Sequence, residues 1–271
     1  MATLREVRRR INSVRNIAQI TRAMQMVAAS RMKRAQDAIL AARPYSDELR
    51  DALARVAGAV DAEVNPLLAR RPVRRIGLIL VTTDRGLVGS LNANAIRSVL
   101  RHVGEVSSGD QAAEVAAITV GRKGRDALRR AGVPIAAHFP QMRDRPTFAD
   151  VTPIARLVTE DFLAGTYDRI EIAYSAFINT LAQRPLTRAL LPIERPVMGA
   201  AEAETNDEYL FEPSPEAVLA RLLPHYVAVD IYRAVLENRA SEQSAQMVAM
   251  RSATDNARRS EERRVGKECR L

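Results

Sequence analysis

Tryptophan is absent from this chain, and a single cysteine, Cys269, excludes an internal disulfide framework. Three histidines, His102, His138 and His225, fall at no spacing that suits metal ligation, so no metal and no cofactor is expected. No run approaches the eighteen apolar residues that a membrane-spanning helix needs. The start, Met1 to Glu6, enters an amphipathic pattern directly, with no apolar signal region and no separate transit segment ahead of the fold. Glycine is missing from Ala2 to Ala57, where Pro44 is the one proline, and again from Ser214 to Arg264, where the prolines are Pro215 and Pro224. These two gaps mark helices far longer than the globular average. A rod of that length stands roughly 75 to 85 Å long, which suits a mechanical or interaction element better than a concave active site.

What the chain has in excess is positive charge, a net +9 overall. Residues 1–43 hold ten Arg and Lys against the two acids Glu6 and Asp37, so the first helix carries most of it. A basic helix can neutralise phosphates, or it can be the solvated face of a coiled coil among acidic proteins. In the first segment Leu4, Val7, Ile11, Val14, Ile17, Ile20, Met24 and Val27 recur at three- and four-residue steps. After a phase slip the stripe resumes at Met32, Ala35, Ile39 and Ala42. In the last, Leu222, Tyr226, Val229, Leu236, Ala240, Gln243, Met247, Met250 and Thr254 follow heptad spacing, broken once by Arg233. The two seams predict an antiparallel pair that brings the region of residue 1 near that of residue 257. Beyond Leu236 the seam turns small and polar, which implies that a partner surrounds that half.

The middle reads as α/β. Strands are expected at Arg75–Thr82, Glu114–Val120 and Asp168–Phe177, with a further strand or edge at Arg184–Pro192. Helices are expected at Leu91–His102, Arg122–Ala131 and Val151–Ala164. Alternation of this kind predicts a mainly parallel sheet covered on both faces. The fold class is therefore α/β: a long antiparallel coiled coil of N- and C-terminal helices plus a central Rossmann-like domain. The divisions are 1–57, 73–200, 214–257 and a tail, 258–271. Gly86-Leu87-Val88-Gly89 after the first strand is neither a dinucleotide fingerprint nor a phosphate-binding P-loop, and it reads as a tight turn before a helix. Asp84-Arg85 reads as a local ion pair or turn contact. No carboxylate combines with His or Cys in a catalytic arrangement, so a nucleotide-dependent enzyme has no named chemistry behind it.

Ile11-Asn12-Ser13-Val14-Arg15-Asn16-Ile17-Ala18-Gln19-Ile20-Thr21-Arg22-Ala23-Met24-Gln25-Met26-Val27-Ala28-Ala29-Ser30-Arg31-Met32 resembles the N-terminal helix of the gamma subunit of F-type ATP synthase. Thr83-Asp84-Arg85-Gly86-Leu87-Val88-Gly89 is similar to that family's Asp-Arg-Gly-Leu loop, and the stretch from Phe177-Ile178-Asn179-Thr180 to Pro192 resembles a further block. Glu237-Asn238-Arg239-Ala240-Ser241-Glu242 through Met247, Met250, Thr254 and Asn256 is similar to its C-terminal helix. The resemblance implies a rotor shaft with no catalytic residue of its own. It implies alpha and beta subunits around the coiled coil, and a foot on the membrane-embedded c-ring beside the epsilon subunit. Proton or sodium flow would turn this assembly at the cytoplasmic side of a bacterial plasma membrane. On this resemblance the partner-binding residues are Met24, Met26, Arg31, Met32, Lys33 and Arg34 toward the head, Tyr209 and Glu212 toward the ring, and Glu242 and Gln243 on the last helix. Asp84, Arg85, Gly86 and Gly89 form a structural loop. A nucleic-acid-binding or scaffolding coiled coil is the alternative. Residues 258–271 depart from the family pattern, and this tail is expected to be disordered or frayed, with no packing on residues 2–15.

Overall fold

The computed structural model describes residues 4–58, 65–108, 112–194, 212 and 214–268. Helix α1 spans Leu4–Gly58, and a central domain follows in the order β1 (Arg75–Val81), α2 (Leu91–Ser107), β2 (Glu114–Val120), α3 (Arg122–Arg130), β3 (Ile135–Phe139), α4 (Phe148–Leu163), β4 (Arg169–Phe177) and β5 (Gln183–Leu191). Helix α5, Pro215–Glu268, closes the chain. Ser214 caps it by accepting from the N–H of Ala217 at 3.3 Å, and Pro215 stands in the first turn, where its missing N–H has no bond to lose. The helix runs on past residue 257 through the segment for which fraying was expected. Ala257 is buried, and Arg15 donates to Glu261 through two nitrogens at 3.1 and 2.9 Å. That contact places the last turns of α5 directly against the first turns of α1.

The two long helices pair antiparallel, and their seam differs from the stripe read from residue hydrophobicity. Side chains turned away from solvent on α1 are Val7, Ile11, Val14, Ala18, Thr21, Gln25, Ala28, Met32, Ala35, Ile39, Ala42, Ser46, Leu49, Leu53 and Val56. This is an unbroken three-four alternation with no phase slip, the repeat that a left-handed coiled coil requires. Ile17, Ile20 and Val27 lie off it, 50%, 59% and 52% exposed. Following the largest apolar residues leads off the seam, because small Ala, Thr and Gln occupy it where the helices come close. Thr21 Oγ1 and Thr254 Oγ1 meet there at 2.7 Å.

The sheet order is β3-β2-β1-β4-β5, with parallel pairing throughout except for the antiparallel edge strand β5. Strand β3 escaped the sequence reading: Ile-Ala-Ala-His-Phe is short and half-buried, without strong alternation. Ile76, Leu78 and Leu80 of β1 face α2 and α3, whereas Ile79 and Val81 face α4 and α5. On that second face Leu53 and Val56 of α1, Leu67 and Leu68, and Leu219, Leu223, Val227 and Ile231 of α5 share one apolar core with the sheet. The foot of the shaft is thus a continuation of the domain core. Arg188 of β5 adds a two-pronged pair with Asp230 of α5, at 2.5 and 2.7 Å.

Two outcomes test this packing. Leu53 is fully buried, so Leu53→Ala is expected to cost about 2–5 kcal/mol in chemical denaturation. A cost below about 1 kcal/mol would mean that α1 is not anchored there. On the other face of the sheet His102 Nε2 lies 2.5 Å from the buried Glu171 carboxylate. That hydrogen bond raises the His102 pKa, against the opposing effect of burial. The raised pKa gives stability that is present in full below the unfolded value near 6.5 and fades as pH rises through the folded value. His102→Gln should lower stability by about 1 kcal/mol near pH 5.5 and by much less near pH 9. A pH-independent difference in melting temperature between the two proteins would contradict the linkage.

Candidate functional site

In a doubly wound sheet the ligand crevice opens at the carboxyl ends of the strands, where the strand order reverses. Here that place lies above β1 and β4, and α5 lies across it, leaving a cavity of 310 Å³ between the helix, Val88 to Leu91 and Ser175. Asn238 Oδ1 accepts the Ser175 N–H at 3.2 Å, and the Ser241 and Ser244 hydroxyls donate to the carbonyls of Ser175 and Thr180 at 2.8 and 2.5 Å. These α5 residues are buried. The polar turn of the last helix, which looked like a seam in want of a partner, therefore has its partner partly within the chain.

The glycine loop is built as a turn. Leu87 adopts a positive φ of 65° and Gly89 one of 55°, while Asn92 reaches back from α2 to the Thr83 hydroxyl at 2.7 Å. Asp84 pairs with Arg122, not with the neighbouring Arg85. Its carboxylate accepts the Arg122 N–H at 2.8 Å, while the next N–H groups of α3 go to Thr83 O at 3.1 Å and Thr82 Oγ1 at 2.9 Å. The start of α3 is thereby saturated by its own chain, leaving its first N–H donors nothing to offer a phosphate. Gly121, at φ 91°, allows this closeness, since a Cβ there would lie 2.3 Å from Thr82 O.

A polar cluster ties the loop between β3 and α4 to both shaft helices. Asp144 takes Arg31 of α1 at 3.0 Å and also Arg239 of α5. Arg239 and Gln141 both engage Glu242, at 2.5 Å and at 2.7 and 2.9 Å, and Gln141 Oε1 accepts the Asp84 N–H at 2.8 Å. Glu242 and Gln243, expected to touch partners, are buried inside this chain at 6% and 2% exposure. Their position on a family-like stretch did not reveal which way the helix turns them. Arg31, also expected to face outward, spends its guanidinium on Asp144. Gln141 and Asp144 were missed because an irregular loop has no periodicity to betray an inward role.

The other expected contacts remain on the surface. Met32 is half-buried in the seam and Met24 half-buried beside it, and Met26 is 60% exposed. Lys33 pairs with Asp37 one turn on at 2.9 Å, and Arg34 donates to Ser30 O at 3.3 Å. Glu212 is exposed, and Tyr209 lies outside the described residues. Ile17, Ile20 and Val27 form an apolar stripe on one outer flank of the shaft, a feature a helical wheel drawn on the true heptad would have shown. An apolar groove of 360 Å³ lies lower on the shaft, between α1 and α5, where the Tyr45 hydroxyl meets His225 Nε2 at 2.5 Å and Phe148 and Tyr232 complete an aromatic wall.

Comparison with known proteins agrees with this architecture. The family model described as ATP synthase matches residues 3–263. An ATP synthase gamma chain of Dehalococcoides mccartyi is 45% identical over 95% of this chain and 88% of its own length. One from Roseiflexus castenholzii is 48% identical with the same coverage. Among solved structures, a chain of the Tetrahymena thermophila mitochondrial ATP synthase, from its central stalk and c-ring, is similar with a TM-score of 0.65 and 25% identity. That match covers 86% of this chain and 99% of the other. With a continuous two-helix shaft and relatives at this level, the chain belongs to the ATP synthase gamma-chain family, the non-catalytic rotor stalk of the F-type complex.

Proposed function

We propose that the tip of the α1–α5 pair stands inside a hexameric head of alternating alpha and beta subunits, while the α/β domain rests on the c-ring beside the epsilon subunit. In this reading proton or sodium flow turns the ring at the cytoplasmic face of a bacterial plasma membrane, and the shaft carries the rotation to the beta subunits. The observation that supports it is the outer stripe: Ile17, Ile20 and Val27 are each at least half exposed on one flank of a helix whose seam is already filled. A row of large apolar side chains turned to water on a protruding rod is the mark of a surface covered by another protein. Met24, four residues past Ile20 and three before Val27, and the exposed Met26 on the other flank offer adaptable side chains to neighbours that differ as the shaft turns.

Charge supports the same placement. Arg34 lies seven residues beyond Val27 in line with the stripe, and it and Lys33, both exposed, suit acidic loops of the beta subunits, though each such contact contributes little by itself. Glu212, together with Tyr209, is proposed to face the ring.

Reconstitution with alpha and beta subunits tests the placement. Ile20→Asp puts a charge into the stripe without touching the seam, and should weaken assembly of the ATPase-active complex by about tenfold or more, leaving the fold of the free chain intact. Undiminished assembly and turnover with Ile20→Asp and with Val27→Asp would show that the stripe is not the contact.

A further inference from the structure

The outer stripe lies on a line that continues into charge. Ile17, Ile20, Met24, Val27, Arg31 and Arg34 follow one another at steps of three and four, each one residue before a seam position. Arg34 is exposed like the isoleucines, but Arg31 is half-buried, because the loop between β3 and α4 reaches it. That loop reads Gln141-Met142-Arg143-Asp144-Arg145-Pro146, and Arg143, Asp144 and Arg145 are exposed. Asp144 is thus one acid among four arginines: Arg143 and Arg145 beside it in sequence, Arg31 of α1 and Arg239 of α5. An excess of positive charge around a single carboxylate favours the arrival of a further anion.

The two oxygens of Asp144 have unequal duties. Oδ1 takes Arg239, whose side chain is only 9% exposed. Oδ2 takes Arg31 at 3.0 Å, where the two side chains are 39% and 51% exposed. Arg239 has a second anion in Glu242 at 2.5 Å, and Gln141 donates to both oxygens of Glu242. This inner part is closed on itself, so the loop stays in place whichever way Arg31 turns. Arg31 can therefore leave without stranding a buried charge. Its pair with Asp144 is open to water and of the weak kind, and an acid from another chain can replace it at little cost.

We infer that Asp144 is an internal stand-in for an acidic side chain of a neighbouring subunit, and that it holds Arg31 until that acid displaces it. The guanidinium swings from Oδ2 of Asp144 to the incoming carboxylate, while Oδ1 keeps Arg239. The free chain thereby withholds one cation from its docking line, and only a partner with a competing carboxylate releases it. This rests on the proposed contact of the α1 flank with acidic neighbours, and it adds which cation is withheld and by what.

Fluorescence anisotropy of a labelled hexaglutamate peptide with the full chain, at about 0.05 M salt, provides the test. Asp144→Asn keeps an acceptor for Arg239 and removes the charge that holds Arg31, so it should tighten peptide binding about threefold to fivefold. Glu114→Gln, the same change of charge at an exposed position at the start of β2, should alter it by less than about 1.5-fold. Arg31→Gln should undo the gain in the Asp144→Asn chain yet change wild-type binding by less than about 1.5-fold, a non-additivity that a purely structural role for Asp144 does not produce. Equal gains in Asp144→Asn and Glu114→Gln would mean net charge alone and overturn the inference. So would a gain that survives Arg31→Gln, or no gain in a folded Asp144→Asn chain. Should that variant not fold, the wild-type chain decides: on peptide addition the Arg31 Nε–H resonance should shift while that of Arg239 stays, and an unmoved Arg31 is equally fatal. Assembly of the wild-type chain with alpha and beta subunits is measured in parallel. A chain that assembles but never releases Arg31 refutes the stand-in alone, and one that does not assemble refutes the placement beneath it.

Discussion

The middle of α5 has almost no face to spare for solvent, and the rest of the molecule is arranged around that constraint. From Val227 to Ser244 only Arg233 is exposed, because α1 covers one side while α4, the sheet and the strand-end carbonyls cover the others. A helix buried all round must satisfy its polar side chains internally or lose stability for each one left out. Asn238, Ser241 and Ser244 do so on the loop ends of β4, and Glu242 on Gln141 and Arg239. The same contacts seat α5 at the carboxyl end of β4, so that a fold associated with ligand binding serves here as a mount for a helix.

Along the shaft the energetics change with height. Near the foot the seam is Leu49, Leu53 and Val56 against the domain core, and burial of that kind contributes about 1.5–3 kcal/mol per large side chain. Higher up the seam passes through Ala28, Gln25, Thr21 and Ala18, which bury little, and the cross-helix contacts include Thr21 with Thr254 and Arg15 with Glu261. Polar pairs of this kind fix register more than they add strength. Val14, Ile11 and Val7 then bring large apolar side chains back into the seam, so the rod is firmly rooted at its foot and bound most lightly through the stretch of small and polar residues between.

Much of this was legible in the chain. Two glycine-free stretches announced the long helices, and β1, β2 and β4 stood out as apolar runs bounded by turn residues. The seam of α1 was misread for a physical reason: hydrophobicity was followed where phase should have been. In a close-packed helix pair the contact line takes Ala, Thr and Gln, while Ile17, Ile20 and Val27 are left for another surface. Strand β3 carries too little apolar alternation to declare itself, and the inward turn of Glu242 depends on a loop a hundred residues away. The tail beyond residue 257 was expected to fray because it lacks an apolar stripe, yet a helix can be continued by a neighbour's ion pair where its own pattern fails.

The outer stripe also bears on what the chain does when it is alone. Arg10, seven residues before Ile17, and Arg34, seven after Val27, bracket the stripe of Ile17, Ile20 and Val27, all of them exposed. Two copies of this face cannot close on one another without pressing like charges together, the device by which gatekeeper residues keep apolar segments from self-association. An acidic surface meets no such repulsion. The stripe is therefore a selective adhesive, open to a neighbour of opposite sign and closed to its own kind.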